Sequence, residues 1–366
     1  MTTGNRLDLL GKLDQRSINE CAVTIGHGDR LPGPLVVDLD PTTFCDLACP
    51  ECISASLLNQ KRFGRDRLIN MVDEFARSGV RAVVLIGGGE PLAHPATKDI
   101  IPLFAERDIH LGLVTNGTLI GGCLDVLAEY MAWVRVSVDA GTAQTFAQIR
   151  PSKKGDVKFD TVIENVRALA GKAKGSVGYS FLVVTRPDGD GGLIFSNHQE
   201  IAQAARLAKD IGCDYFEVKA LFDDHHYVVP IPPLAIAEIL FQMAEIKLLE
   251  GDGFTVEVSS TLEALTTGLQ PQVKHYDTCP VAELRTVVTP SGVYTCAYHR
   301  GNPKALLGDV TEQPFDALWG GLSIRPTVPS RDCGFHCARH TQNLHIQSLA
   351  DPAVRSDLVE DYDRFI

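Results

Sequence analysis

The sequence lacks the features that mark nucleic-acid-binding, membrane and secreted proteins. Its 366 residues carry 34 Lys and Arg against 46 Asp and Glu, with a net charge of −12 and no Lys/Arg-rich run. Without a basic patch, binding to nucleic acid or to an anionic membrane surface is not expected. The N-terminal residues mix charges with isolated leucines and offer neither a signal peptide nor a membrane span. We therefore expect a cytoplasmic protein that acts on small molecules or peptides.

Cysteine, in contrast, is abundant. The chain has 10 cysteines and is 45% hydrophobic, which is enough to bury a large core. A reducing compartment disfavours disulfides, so metal binding or catalysis is the default use of these thiols. Seven of them form two groups along the chain, namely Cys45, Cys49 and Cys52, and then Cys279, Cys296, Cys333 and Cys337.

Short β-branched runs alternate with amphipathic segments from residue 35 to about 220, which predicts βα units around a parallel sheet. The predicted strands are 35–40, 81–87, 110–115, 133–139, 176–184 and 214–219, and the predicted helices lie near 66–78, 95–107, 119–131, 158–170 and 197–210. Six units are too few for an eight-stranded barrel. We therefore predict an α/β fold with a partial (βα)6 barrel, whose functional groups lie at the C-terminal ends of its strands.

The C-terminal third departs from this alternation. Residues 232–249 predict a strong helix, and residues 285–298 predict a β-hairpin that turns at Pro290–Ser291–Gly292. The predicted segments are an N-terminal extension (1–34), the barrel (35–230), a helical connection (231–270), a small hairpin and helix domain (271–345) and a C-terminal helical tail (346–366).

The first cysteine group has the spacing CxxxCxxC in the loop after the first predicted strand. Three thiolates on one loop can ligate three irons of a cubane and leave the fourth iron open. A zinc site normally takes four protein ligands, and no fourth one lies in this loop. A zinc site completed by a distant His or Cys remains the alternative.

The sequence here resembles the radical S-adenosylmethionine (SAM) superfamily over roughly residues 35–220. Besides the cysteines, Gly87–Gly88–Gly89–Glu90–Pro91 at the end of the second predicted strand is similar to the family's GGE motif. The resemblance implies that the three cysteines hold a 4Fe–4S cluster whose open iron binds SAM. Reductive cleavage of SAM would give a 5′-deoxyadenosyl radical that abstracts a substrate hydrogen. It also implies an electron donor of the flavodoxin or ferredoxin type.

The resemblance also implies a set of contacts to SAM. Gly88, Gly89 and Glu90 would face its methionine part and ammonium, and the remaining candidates are Asn116, Ser137, Asp139 and Arg150. Each of these four has a turn or a solvated surface as its alternative role. Glu51 departs from the family, which usually has an aromatic residue before the last cluster cysteine, and this puts an adenine contact there in doubt.

The second group resembles the SPASM and twitch extensions of radical SAM enzymes. Cys279 and Cys296 bracket the predicted hairpin, and Cys333 and Cys337 follow as CxxxC. Four thiolates complete the ligation of one 4Fe–4S cluster, whereas the full SPASM pattern has seven cysteines, so a twitch-like domain with one auxiliary cluster fits better. Gly292 departs slightly from the usual spacing. A zinc ribbon is the alternative. A fully ligated cluster would transfer electrons.

Polar residues near the strand ends are candidates for substrate chemistry. Lys219 ends the sixth predicted strand, and an acidic and histidine-rich loop follows it. The catalytic candidates are Lys219, Asp223, Asp224 and His225, with a salt-bridged surface as the alternative. Near the second cysteine group, the candidates are Arg285, Tyr298, His299 and Arg300, which could bind substrate or form a polar shell around the sulfurs.

The resemblance leaves the substrate open. We expect the substrate to be a small polar natural product of the aminoglycoside sugar or aminocyclitol type. We expect its two-electron oxidation and not its epimerisation, because Cys21, Cys123 and Cys213 offer no convincing hydrogen donor for an epimerase. Only about 34 residues precede the first strand, too few for the leader-peptide recognition domain of many peptide maturases. Epimerisation and peptide modification remain alternatives, and a structural iron–sulfur or zinc protein is the non-enzymatic one.

Overall fold

The computed structural model describes residues 8–190, 192–223, 225, 227–268, 270, 272–322, 325–354 and 356–366. The strands are β1 (Val36–Leu39), β2 (Ala82–Leu85), β3 (His110–Thr115), β4 (Met131–Ser137), β5 (Ser176–Val183), β6 (Thr185–Pro187), β7 (Leu193–Ser196), β8 (Tyr215–Ala220), β9 (Thr255–Val258), β10 (Arg285–Thr289), β11 (Gly292–Tyr294) and β12 (Leu306–Gly308). No helix in the described parts of the chain has the length and apolar character needed to cross a bilayer.

The helices are α1 (Arg16–Gly26), α2 (Arg65–Arg77), α3 (Thr97–Ala105), α4 (Leu124–Tyr130), α5 (Ala143–Ile149), α6 (Phe159–Ala170), α7 (Ile201–Asp210), α8 (Pro233–Lys247), α9 (Ser260–Thr267), α10 (Val281–Leu284), α11 (Phe315–Gly321), α12 (Pro329–Asp332) and α13 (His340–Ser348). Every strand and helix predicted before residue 250 is present, with its ends shifted by a few residues. The chain divides into two compact units, unit 1 (1–44, 59–111 and 272–366) and unit 2 (45–58 and 112–271).

In unit 1, β1 pairs in parallel with β2 on one side and with β10 on the other. All four residues of both β1 and β2 are buried, as expected for strands covered on two faces. The predicted hairpin is confirmed, since β10 and β11 are antiparallel with Thr289 opposite Gly292. The hairpin also extends the sheet that contains β1. Residues 272–345 and the first two barrel strands therefore belong to one compact unit.

In unit 2, the parallel strands follow the order β4, β5, β8 and β9. The sequence did not predict β9, which lies inside the segment 231–270 that we expected to be helical. This strand has only four residues and follows a turn in which Gly251, Asp252 and Gly253 all have positive φ, so its sequence signal is short. The hairpin of β6 and β7 was also missed.

The predicted helical tail over 346–366 is wrong beyond Ser348, where α13 ends. Proline disfavours helical backbone in the residue before it, and Pro352 follows closely. Past this point, the described residues contain no helix and the chain instead pairs with the N-terminal region of unit 1. Val359 N donates to Asp14 O at 2.9 Å, and Gln15 Oε1 accepts backbone N–H groups from the tail.

Candidate functional site

The first cysteine group lies on one loop of unit 2, residues 45–58. Ala48 N donates to Pro151 O at 2.8 Å, which attaches the loop to the segment after α5. Cys52 N donates to Cys49 O at 3.2 Å, which forms a turn between these two cysteines. Burial, together with the nearby Cys52, raises the pKa of the Cys49 thiol. A cation or a metal bound at this loop would therefore stabilise its thiolates.

Two hydrogen-bond donors of unit 2 are directed at these sulfurs. Asn116 Nδ2 lies 3.8 Å from Cys45 Sγ, and Arg150 NH1 lies 3.9 Å from Cys49 Sγ. Asn116 Nδ2 also donates to Asp46 Oδ1 at 2.9 Å, a contact that fixes the amide. Donors to sulfur favour the thiolate and tune iron–sulfur centres. The surroundings of this loop therefore fit an iron–sulfur cluster held by thiolates.

Arg150 is held in place by Asp139. Arg150 Nε donates to Asp139 Oδ2 at 2.9 Å, and Asp139 Oδ1 accepts from Leu182 N at 2.8 Å. Burial alone would lower the pKa of Arg150, but Asp139 together with Cys49 and Cys45 outweighs it and the pKa is raised. The guanidinium is thus a fixed positive charge beside Cys49. Ser137 is half-buried at the end of β4, and its role toward SAM stays a prediction.

The glycine motif lies in unit 1 at the end of β2. Gly88 N donates to Asp40 Oδ2 at 3.0 Å, and Glu90 N donates to Phe44 O at 2.8 Å. A Cβ atom on Gly89 would lie 2.4 Å from Phe44 O, which no side chain can accommodate without a backbone shift. A Cβ atom on Gly88 would meet nothing closer than 3.5 Å. Close backbone approach therefore requires glycine at position 89.

Glu90 was predicted to bind the SAM ammonium. Its side chain is 2% exposed, and Oε1 accepts from Leu92 N at 3.0 Å as the cap of the short turn Pro91–Ala93. One carboxylate oxygen therefore stabilises the backbone that follows the glycines. The contact to SAM stays a prediction.

Asp40 is a site residue that the sequence analysis missed. This carboxylate is fully buried, and Arg300 binds it through Nε at 2.6 Å and NH2 at 3.1 Å. Asp38, two residues earlier on β1, pairs in the same way with Arg285. A carboxylate in an apolar strand needs a partner once it is buried. The signal in the sequence was the spacing of Asp38 and Asp40, two carboxylates on one face of an otherwise apolar segment. This spacing could have shown that each of them needs a positively charged partner.

The four thiols of the second group lie together in unit 1. Burial and the neighbouring Cys337 raise the pKa of Cys279 to about 11, and burial with Cys279 and Cys337 raises that of Cys333 to about 12. Desolvation of the half-buried Cys296, together with the other three thiols, raises the pKa of this thiol well above its ordinary value. All four are free cysteines. Thiolates packed this closely repel one another unless a positive centre binds them, and so they fit a metal site.

Within the described ranges, no three His, Cys, Asp or Glu side chains converge on a position for a single metal ion. The choice between a cluster and a zinc ribbon at the second group stays a prediction.

Polar and aromatic side chains surround the second group. His299 Nε2 lies 3.3 Å from Cys333 Sγ, and Tyr298 stacks on Phe335 with 4.9 Å between ring centroids. Asn343 Oδ1 lies 3.5 Å from Cys279 Sγ. Of the four candidates near these cysteines, the two arginines pair with carboxylates of unit 1, and the histidine and tyrosine line the thiol group. Of these four residues, His299 contacts a sulfur, and a role of any of them in substrate binding stays a prediction.

Lys219 is half-buried and belongs to a charged cluster around the buried Glu217 in unit 2. Its Nζ lies 2.9 Å from Glu217 Oε2, and Arg135 NH1 lies 3.3 Å from the same oxygen. Burial and the charge of Arg135 lower the pKa of Lys219, an effect that Glu217 only partly offsets. An amine with a lowered pKa is a better base near neutral pH.

The loop after β8 carries the other catalytic candidates. Asp223 Oδ1 accepts from His225 N at 2.9 Å and from Tyr227 N at 2.8 Å, so this carboxylate closes its own turn. The His225 side chain is exposed. Asp224 and the neighbouring His226 lie outside the described residues. Among these candidates, Lys219 has the surroundings most suited to acid–base chemistry.

A comparison with models of known families matches one stretch of the chain. Residues 39–190 match the model of the radical SAM superfamily, the family that the cysteine spacing and the glycine motif resemble. Two curated relatives are similar in sequence. One is an AdoMet-dependent heme synthase of Methanosarcina barkeri, 23% identical over 80% of this chain and 83% of the relative. The other is the mycofactocin maturase MftC of Mycobacterium tuberculosis, 26% identical over 43% of this chain and 39% of the relative.

A solved structure is similar in fold. SuiB of Streptococcus suis, bound to S-adenosylmethionine, matches with a TM-score of 0.60 at 15% identity, over 83% of this chain and 69% of SuiB. This likeness confirms the predicted fold class, an α/β fold with parallel strands. The match covers only 39% of MftC, so the activity of MftC does not transfer directly.

Proposed function

We propose that this chain is a radical SAM enzyme in which Cys45, Cys49 and Cys52 hold a 4Fe–4S cluster that cleaves SAM. The observation that carries the proposal is the pair of donors at the sulfurs, Asn116 at Cys45 and Arg150 at Cys49. When bound, such a cluster supplies the electron that converts SAM to methionine and a 5′-deoxyadenosyl radical. The protein contributes the thiolates, a fixed cation and donors that favour them.

The glycine motif has a separate task in this proposal. With no side chains in the way, the backbone at Gly88 and Gly89 can approach the methionine part of SAM closely. Asp40 holds the Gly88 amide at 3.0 Å, and Glu90 fixes the turn that follows. These residues would bind and orient SAM. The sequence resemblance, rather than a bound ligand, supports this assignment.

We further propose that Cys279, Cys296, Cys333 and Cys337 hold a second 4Fe–4S cluster. The mutual proximity of four half-buried free thiols supports this assignment. With all four ligands from protein, that centre would exchange electrons and leave no iron open for substrate. An electron acceptor in the enzyme suits oxidation of the substrate by two electrons.

The three remaining cysteines also favour oxidation over epimerisation. Cys213 is 5% exposed, and burial raises the pKa of its thiol well above the ordinary value. Cys21 and Cys123 are half-buried, and neither lies at the carboxyl end of a strand. Lys219, with its lowered pKa, could remove a proton next to the substrate radical and make that radical more reducing.

For the substrate, two classes remain. Similarity to the maturase MftC, and the fold likeness to SuiB, which has also been solved with its precursor peptide SuiA, favour a peptide. Similarity to the heme synthase, which extends over most of both chains, favours a substrate that is not a peptide, and the sequence analysis predicted a small polar molecule for that case. We give the peptide first place, with an aminoglycoside or aminocyclitol type of substrate second.

The proposal is tested by anaerobic reconstitution, reduction and incubation with SAM. The wild type should form 5′-deoxyadenosine and methionine, and the triple variant Cys45→Ala/Cys49→Ala/Cys52→Ala should form none. Cys21→Ala, a change of a half-buried cysteine outside both groups, is the matched control and should retain activity. Cleavage of SAM by the triple variant would exclude the proposed cluster site.

The reaction type can be tested in deuterated buffer with candidate peptides and aminocyclitols. Oxidation should give a product two mass units lighter that carries no carbon-bound deuterium. A stereoisomer with one solvent deuterium would show epimerisation instead. Loss of that label in Cys21→Ala, Cys123→Ala or Cys213→Ala would identify the hydrogen donor.

A further inference from the structure

Asp40 and Arg300 form a deeply buried ion pair in unit 1. The contact is bidentate, the Asp40 side chain is fully buried and the Arg300 side chain is 9% exposed. Desolvation of two buried charges offsets much of their attraction, so such a pair adds little net stability compared with apolar residues of similar size. Its fixed geometry therefore suggests a positioning role.

Asp40, one partner of the pair, also binds the backbone of the glycine motif. Asp40 Oδ2 accepts both from Arg300 Nε at 2.6 Å and from Gly88 N at 3.0 Å. The Arg300 side chain also passes close to this backbone, with Cδ 3.8 Å from the position of a Cβ on Gly88. A shift of the guanidinium would therefore move the carboxylate that holds the Gly88 amide.

Arg300, the other partner of the pair, lies directly after a turn that carries part of the second cysteine group. Arg300 directly follows the turn Ala297–His299, which begins at Cys296. Arg300 N donates to Ala297 O at 3.3 Å, and His299 Nε2 lies 3.3 Å from Cys333 Sγ. The backbone that places the Arg300 side chain is therefore set by the same turn that places one thiol of this group and contacts another.

We infer that the Asp40–Arg300 pair is a positioning link through which the second cysteine group sets the affinity of the glycine motif for SAM. This inference rests on the proposed function, because it requires SAM at the motif and a cluster at the four thiols. Arg300 is a positioning residue, since it acts on the motif through Asp40. Coupling between two sites is reciprocal and typically changes affinity 5- to 150-fold.

The first experiment measures SAM binding by anaerobic equilibrium dialysis on the iron-loaded, full-length protein. Arg300→Gln should weaken SAM binding roughly tenfold, within the usual range for coupled sites, while the iron content stays that of the wild type. The matched control is Arg285→Gln, which breaks the neighbouring bidentate pair with Asp38 and should change SAM affinity less than about twofold. Arg300→Lys keeps the charge without the planar fork and should be intermediate.

A readout beyond affinity comes from electron paramagnetic resonance of the reduced protein. Addition of SAM should alter the spectrum of the first cluster in every variant that binds it. Arg300→Gln should need about tenfold more SAM than the wild type for half of this change. A residue with only a structural role would lower the amount of folded protein without shifting this midpoint.

The coupling itself is tested by a double-mutant cycle. Cys333→Ala/Cys337→Ala should weaken SAM binding in the wild-type background and have no further effect in Arg300→Gln, because the link is already broken. Equal, additive losses in the two backgrounds would overturn the inference.

The outcomes separate this inference from the proposed function. Failure of the wild type to bind SAM overturns the proposed function and this inference with it. If Arg300→Gln and Arg300→Lys both bind SAM as tightly as the wild type, the positioning link alone is overturned. The same holds if Arg285→Gln loses as much SAM affinity as Arg300→Gln. If Arg300→Gln does not fold, Arg300→Lys decides the question.

Discussion

Replacement of Arg150 by glutamine tests whether the fixed cation beside Cys49 is part of the framework of unit 2. The change would leave the Asp139 carboxylate, which is 2% exposed, without its bound guanidinium. Removal of one partner from a buried pair costs about 3–5 kcal/mol, because the other charge remains buried. The exposed pair of Arg65 and Asp99, with side chains 60% and 36% exposed, is the matched control. Arg65→Gln should cost about 0.2–1 kcal/mol.

The assay is equilibrium unfolding in urea under anaerobic conditions, followed by circular dichroism. The double variant Arg150→Gln/Asp139→Asn should recover much of the lost free energy of unfolding, because no unpaired charge is then buried. Arg150→Gln should also retain less iron than the wild type, since Cys49 Sγ loses a donor at 3.9 Å. The reasoning is refuted if Arg150→Gln and Arg65→Gln lower the free energy of unfolding by the same amount.

Four further predictions follow from individual contacts. Gly89→Ala should greatly reduce SAM cleavage and Gly88→Ala much less, because a Cβ meets backbone at 2.4 Å at the first position and nothing closer than 3.5 Å at the second. Lys219→Met should leave SAM cleavage intact but lower product formation by about 10²-fold or more, and should abolish a rise in rate with pH below the ordinary lysine range, as measured by chromatography. Cys213 should resist iodoacetamide at pH 8 until the protein is denatured, because burial raises the pKa of its thiol, as mass spectrometry can show. Iron analysis should approach about eight irons per chain, and about four with stoichiometric zinc would refute the second cluster.

Local patterns in the sequence predicted much of the fold, and the assignment of the cluster ligands stays a prediction. Hydrophobic alternation placed β3 at 110–115 without error, because a strand's signal lies within the strand itself. The turn at Pro290–Ser291 predicted its hairpin for the same reason. The spacing of Cys45, Cys49 and Cys52 indicated an open-iron site, and residues 39–190 match the superfamily. Where the signal was short, as in the four residues of β9, the prediction failed.

Tertiary structure alone decided which distant groups meet. The apolar strand β1 showed that Asp40 needs a partner, but nothing local selects Arg300, which lies 260 residues further along the chain. In the same way, only the fold brings Asn116 and Arg150 to the sulfurs of Cys45 and Cys49. Ion pairs and donors to sulfur depend on distances of a few ångströms between remote segments, and residue type and local spacing do not encode those distances.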